Sequence, residues 1–232
     1  METDRLAKLI ADLDRPDKPT IRAAVDQLIE LAMNSEPVSK ALEQRLNQTG
    51  HRNYWPVAYI LGHLPQPSRA AIQKLLDALD HREPDIRWAC LLLLVRIAKH
   101  QHEVITALLE LCRLGAVNQR RMAIYGLRDL ALSDSESLQA FIGGLSDSDA
   151  TVRVAATTSL KARSDVNQAV REALLASYLN DNDLRVRNAV AVTLASMGAP
   201  AEEFLLALRK ASKSETGQTK KAAEAALALL EK

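Results

Sequence analysis

The chain has 232 residues, enough to bury a substantial core as one large domain or two small ones; its 30 basic and 29 acidic residues leave a net charge of +1. That balance excludes a global electrostatic pull toward nucleic acid or an anionic membrane, though it leaves room for a local basic stripe. Apolar residues make up 47% of the chain and aromatics only 3%, with Leu and Ala dominant, which favours a helical core over strands.

The N-terminal residues lack the basic-then-apolar pattern of a signal peptide. The longest apolar run, Trp88 to Val95, is too short to cross a bilayer, so a soluble cytoplasmic protein is expected. Cys90 and Cys112 lie inside apolar helical patterns and read as small buried hydrophobes rather than a disulfide pair.

A step of 33 residues organises the sequence. Leu28, Leu61, Leu94, Leu127 and Leu160 follow at that spacing, and Leu194 and Leu227 continue it after one inserted residue. A parallel series, Leu13, Leu46, Leu79, Cys112, Leu145, Leu179 and Ser212, slips at the same place, which puts the insertion in the loop at 162–167. The spacing predicts seven two-helix repeats, approximately 1–33, 34–66, 67–99, 100–132, 133–165, 166–198 and 199–232, forming one all-α solenoid over 1–232.

Taken in chain order, the second helix of repeat 1 presents Arg22, Asp26 and Glu30 on a solvated face. In repeat 2 the core is expected from Val57, Ile60, Leu61 and Leu64, and the equivalent outer face carries Trp55, Tyr59 and His63, with Tyr54 adjoining. Repeat 3 opens at Ser68, a good N-cap, and runs through Ile72, Leu75, Leu76 and Leu79 at helical spacing. A polar turn at 80–85 follows, with Pro84 suited to a helix start. The next helix has core positions Ile86, Ala89, Leu93, Leu94 and Ile97, and its other face carries Trp88, Leu92 and Arg96.

His100, His102 and Glu103 join repeats 3 and 4. They read as an exposed loop, because a metal needs further converging ligands. Repeat 4 carries Arg121, Tyr125 and Asp129 on the same face. Repeat 5 runs through Leu138, Phe141, Ile142 and Leu145, with Gly143-Gly144 permitting close packing, then a turn at 146–149 and a helix from Val152. Repeat 6 repeats the plan with Leu174, Leu175 and Leu179, a turn at 180–183 and a helix from Val186. The outer faces of repeats 5 to 7 return to small or mixed residues: Val154, Thr158 and Ala162, then Asn188, Val192 and Ser196, then Lys221, Ala225 and Leu229.

The second-helix starts, Leu145-Ser-Asp-Ser-Asp-Ala-Thr-Val-Arg-Val-Ala-Ala and Leu179-Asn-Asp-Asn-Asp-Leu-Arg-Val-Arg-Asn-Ala-Val, resemble the short HEAT repeats of phycobilisome-lyase-type HEAT-like proteins. The resemblance extends over all seven repeats, and neither an ankyrin nor a tetratricopeptide frame is present. It implies an α-solenoid that serves unrelated tasks in different proteins, so it carries fold further than function.

A basic column, Arg87, Arg120, Arg153, Arg187 and Lys220, precedes the Leu anchors of repeats 3 to 7 by seven residues, while repeats 1 and 2 depart with Ile21 and Tyr54; Asp149 and Asp183 stand shortly before two of its arginines. Such a row could bind phosphates. The preferred reading is a structural ladder in which turn carboxylates and helix-start arginines of adjacent repeats satisfy one another. The stripe of Trp55, Tyr59, His63, Trp88, Leu92, Arg96, Arg121 and Tyr125 is the candidate partner-binding surface, because Trp, Tyr and Arg dominate interface energetics at about 2 kcal/mol or more each when central.

No phosphate loop, nucleophile elbow or Cys-x-x-Cys pair stands in the chain, and no catalytic residue, metal or cofactor is assigned. The leading expectation is a non-enzymatic scaffold that holds a protein or peptide in the concave groove of repeats 2–4. The resemblance implies an alternative, a bilin-lyase-like or phycobilisome-associated subunit contacting a bilin or its carrier protein. A third reading, nucleic-acid binding like that of HEAT-like DNA glycosylases, has Asp129 as its nearest acidic candidate and is disfavoured by the near-neutral charge. The single His-Glu pair argues against a deoxyhypusine-hydroxylase-like iron site.

Overall fold

Helix starts follow from short polar side chains placed to receive the first unpaired backbone N–H groups. The carboxylates of Asp17, Asp134, Asp149 and Asp183, the Ser68 hydroxyl and the Asn167 amide oxygen accept from the N–H of Thr20, Ser137, Thr151, Arg185, Ala71 and Val170, respectively. Proline in the first turn reinforces four starts, at Pro19, Pro37, Pro56 and Pro84.

The structure is a computed structural model, and it describes residues 2–48, 54–163, 167–197, 201–213 and 217–230. The inserted residue assigned to 162–167 falls partly at 164–166, outside the described residues, as do the side chains of Ala225 and Leu229. The helices are α1 (Glu2–Asp12), α2 (Lys18–Asn34), α3 (Glu36–Leu46), α4 (Trp55–Gly62), α5 (Arg69–Asp77), α6 (Pro84–Ala98) and α7 (Glu103–Leu114). They continue as α8 (Val117–Asp129), α9 (Ser135–Gly144), α10 (Ala150–Lys161), α11 (Gln168–Asn180), α12 (Leu184–Ser196), α13 (Ala201–Ser212) and α14 (Gly217–Leu230). A short 3-10 turn, Ala78–Asp80, extends α5, and no strand occurs among the described residues.

The chain divides into two compact units, Met1–Leu108 and Leu109–Lys232. In the first, α2, α4 and α6 pack side by side as a row, with α1, α3 and α5 against them. In the second, α8, α10 and α12 form the corresponding row, with α9 and α11 packed on it and α13 paired with α14. Six of the seven repeat anchors lie inside these layers, and Leu227 is part-exposed. Leu28, Leu61 and Leu94 are fully buried in the first unit, and Leu127, Leu160 and Leu194 are buried in the second. Each such leucine stabilises its unit by roughly 1.5–3 kcal/mol. The parallel series is less uniform: Leu13, Leu46, Leu79 and Leu145 are buried, whereas Cys112, Leu179 and Ser212 are part-exposed.

Two glycines matter through close approach. A Cβ on Gly62, the last residue of α4, would lie 2.8 Å from Leu75 Cδ1 and from Leu93 Cδ2. A Cβ on Gly144 would lie 2.8 Å from the Ala156 Cβ and 3.0 Å from Ile124 Cδ1, so this glycine lets α9 seat against α8 and α10. Its neighbour Gly143 faces open space, which limits the close-packing expectation for the pair to Gly144.

The basic column has a two-sided role in the second unit. One guanidinium nitrogen of each arginine donates to a carbonyl of the turn just before it: Arg120 to Gly115, Arg153 to Asp147 and Ser148, Arg187 to Asp181. The opposite edges of Arg120 and Arg153 make paired bonds to a carboxylate of the next repeat: Arg120 to Asp147 at 2.7 and 2.8 Å, and Arg153 to Asp181 at 2.6 and 2.9 Å. The inter-repeat acceptor is therefore the first aspartate of each turn, not Asp149 or Asp183. Those two cap their own helices, and Asp183 also pairs with Arg185.

Burial alone would raise the Asp147 and Asp181 carboxyls. The opposing guanidiniums and the N–H groups of Asp149 and Asp183 outweigh it and hold both below the usual range. In the first unit, Arg87 is buried and donates to the carbonyls of His81 and Arg82.

Candidate functional site

The site candidate lies on the first unit and follows from the length of one helix. α4 has only eight residues, whereas α2 has 17 and α6 has 15. Between those longer neighbours α4 leaves a groove of about 340 Å³. Its apolar lining is Ile21 and Val25 from α2 with Ile86 and Ala89 from α6, and the Trp55 and Tyr59 rings stand in it one helical turn apart.

Lys18, Arg22, Asp26 and Asp85 supply its charges. Lys18 is held by Asp85 at 2.8 Å and by Glu83, but Arg22 and Asp26 are exposed and make no ion pair or hydrogen bond among the described residues. Neither the Trp55 indole N–H nor the Tyr59 hydroxyl is bonded among those residues. The Trp55 ring meets His81 edge-on, with centroids 6.4 Å apart. Burial raises the Tyr59 phenol, so it stays a neutral donor and acceptor at neutral pH.

The remaining stripe residues are distributed unevenly. Trp88 and Leu92 are 38% and 59% exposed on α6 and do not line the groove. His63 and Arg96 line a separate hollow of about 270 Å³ at the other ends of α4 and α6. The His63 Nδ1 lies 2.9 Å from the Tyr59 carbonyl oxygen and donates to it, and the two rings are 4.6 Å apart. Arg121 and Tyr125 belong to the second unit. There Arg121 donates to the Asn118 side chain, and the Arg128 guanidinium lies 4.8 Å from the centre of the Tyr125 ring while pairing with Asp129.

Arg22 and Asp26, on a helix face whose pattern indicates only solvation, are also groove residues. A helical period shows that they share a face, but not that a short neighbouring helix opens a hollow beside it. His100, His102 and Glu103 are exposed, and no group of three or more His, Cys, Asp or Glu among the described residues could hold a metal. Cys90 and Cys112 are free thiols, each pushed up to about 12 by burial. No helix among the described residues is long and apolar enough to cross a membrane.

Comparison with known proteins agrees with this architecture. Residues 138–228 match the family model described as HEAT repeats. Importin beta is similar in structure, with a TM-score of 0.55 and 16% identity over 94% of this chain. Kap95p, whose binding induces the switch loops of RanGDP to adopt the GTP-bound conformation, gives a TM-score of 0.55 at 17% identity over 96% of this chain. The chain spans 32% of each of those two proteins, and the likeness shows the fold alone. The complex of CpcE and CpcF of phycocyanin lyase from Nostoc sp. PCC7120 is similar at a TM-score of 0.42 and 18% identity, covering 94% of this chain and 92% of that one. No curated protein matches the chain in sequence. The protein has an all-α fold of paired helices in HEAT- and armadillo-type solenoid packing.

Proposed function

We propose that the protein is a non-enzymatic binding module that holds a peptide segment of a partner protein in the groove between α2, α4 and α6. The supporting observation is a set of four polar groups, on Arg22, Asp26, Trp55 and Tyr59, that make no hydrogen bond or ion pair among the described residues and stand around the apolar side chains of Ile21, Val25 and Ile86. An apolar hollow with a few convergent polar groups is the usual form of a ligand site. Trp, Tyr and Arg supply large contact area with directional bonding. A peptide main chain offers the donors and acceptors that these groups lack, and the exposed Trp88 and Leu92 on α6 extend the apolar area next to it.

The chain contains two tryptophans, so Trp88→Phe leaves Trp55 as the sole indole reporter. Peptides selected from a random displayed library on the wild-type protein should change Trp55 emission. They should lose affinity by about tenfold or more with Asp26→Asn/Arg22→Gln, a pair of exposed positions whose replacement leaves the melting transition unchanged. Selected peptides that bind this double variant and Tyr59→Ala as well as wild type would rule the groove out.

A further inference from the structure

The second hollow on the first unit is chemically unlike the groove. Its lining is Gly62, His63, Leu64, Pro65, Pro67, Arg96, Ile97, His100 and Gln101, which includes three basic side chains and no acidic one. It shares no residue with the groove of Trp55 and Tyr59. Arg96 spends one N–H on the Gly62 carbonyl at 3.2 Å, which fixes the guanidinium across the gap between α4 and α6; its other donors make no bond among the described residues. His63 is oriented by its Nδ1–H bond to the Tyr59 carbonyl, and its Nε2 makes no bond among the described residues. His100 is exposed and makes no side-chain bond among the described residues. Pro65 and Pro67 form a wall with restricted backbone and no N–H of their own.

We infer that this hollow is a carboxylate-binding site, in which Arg96, His63 and His100 together receive an acidic side chain of a peptide. A guanidinium offers its donors in a planar fork that matches a carboxylate, and flanking imidazoles add donors as they protonate. The positive field is already felt inside the hollow. Burial lowers the His63 pKa, and the Arg96 charge lowers it further against the opposing effects of the Tyr59 carbonyl bond and Asp26. A competing role exists for the same residues: they sit at the C-terminal ends of α4 and α6, where cations complement helix dipoles. That role accounts for the bond from Arg96 to Gly62, and it involves no ligand.

The two roles separate in an NMR titration of the full chain with tetraglutamate, following the imidazole signals of His63 and His100. A carboxylate in the hollow raises the His63 pKa and shifts both rings. Arg96→Gln and His100→Gln each weaken tetraglutamate binding by about tenfold, whereas Trp55→Phe leaves it unchanged, so this site stands or falls apart from the groove. The idea is overturned if tetraglutamate leaves the His63 pKa where it was. It is equally overturned if Arg96→Gln lowers the melting temperature without altering the titration, which is the result of a purely dipole-complementing arginine. Inorganic phosphate competing as strongly as tetraglutamate would mean unselective anion attraction, and would also remove the carboxylate assignment.

Discussion

Lys18 and Asp85 meet at 2.8 Å although 67 residues separate them in the chain, and Glu83 takes the same ammonium. The first turns of α2 and α6 are thereby tied together past the short α4. All three side chains retain solvent exposure, so the tie is salt-screened and adds little to stability. Its effect is on the groove. Lys18→Met should leave the melting temperature almost unmoved while increasing acrylamide quenching of Trp55 in the Trp88→Phe background. Unchanged quenching would show that Lys18 does not restrict access.

The Arg–Asp pairs of the second unit should behave differently, because Arg153 and Asp181 retain only 16% and 5% side-chain exposure. Asp181→Asn removes the charge opposite a guanidinium that cannot be deprotonated. A cost of about 2 kcal/mol is expected in urea unfolding, toward the lower part of the range for charged hydrogen bonds because the arginine keeps some contact with water. Arg153→Lys should recover only part of the loss, since an ammonium cannot make the paired bonds.

The same pairs set an acid limit. Asp147 and Asp181 have folded pKa values held below the ordinary 3.8. The unfolded chain therefore takes up protons first as pH falls. The stabilisation is complete above 3.8 and is lost as pH drops through the lowered folded values. Wild type should lose stability steeply below about pH 4, and the Asp147→Asn/Asp181→Asn double variant should show a flatter profile there. Parallel profiles would mean that other carboxylates govern acid unfolding.

Gly143 and Gly144 offer a paired test of packing. Gly143→Ala adds a methyl into open space and should stabilise α9 by up to about 1 kcal/mol through helix propensity. Gly144→Ala drives a methyl against the Ala156 Cβ, which cannot rotate away, and should cost about 1–3 kcal/mol. Thermal melts of the two variants should move in opposite directions.

Cys90 is fully buried, with its thiol pushed up to about 12. Maleimide labelling of Cys90 in a Cys112→Ser background should proceed only as fast as the chain opens, and should accelerate in step with added urea. Rapid labelling of the native protein would place Cys90 outside the core.

The fold was legible because burial imposes a period. Leu28, Leu61 and Leu94 had to fall at equal spacing if identical helix pairs were to stack, and the turn aspartates before Val152 and Val186 marked where helices restart. The groove was less legible. Trp55 and Tyr59 are recognisable as unusual on their face, but the opening beside them depends on where α4 begins and on the lengths of α2 and α6. Trp88 occupies the same column as Trp55 yet lines no part of the groove, which a shared column does not reveal. The pairing of Arg153 with Asp181 rather than Asp183 was likewise hidden, since one turn supplies two carboxylates and only their geometry assigns the cap and the bridge.

The ladder also has a direction. In each rung of the second unit the guanidinium comes earlier in the chain than its acceptor, Arg120 before Asp147 and Arg153 before Asp181. A growing polypeptide therefore exposes the outer edge of each of these arginines first and satisfies it only when the following helix and its turn have left the ribosome. Arg120 and Arg153 are thus each made with a demand that only the following repeat meets, so a chain halted just after either would end in an unclosed cation.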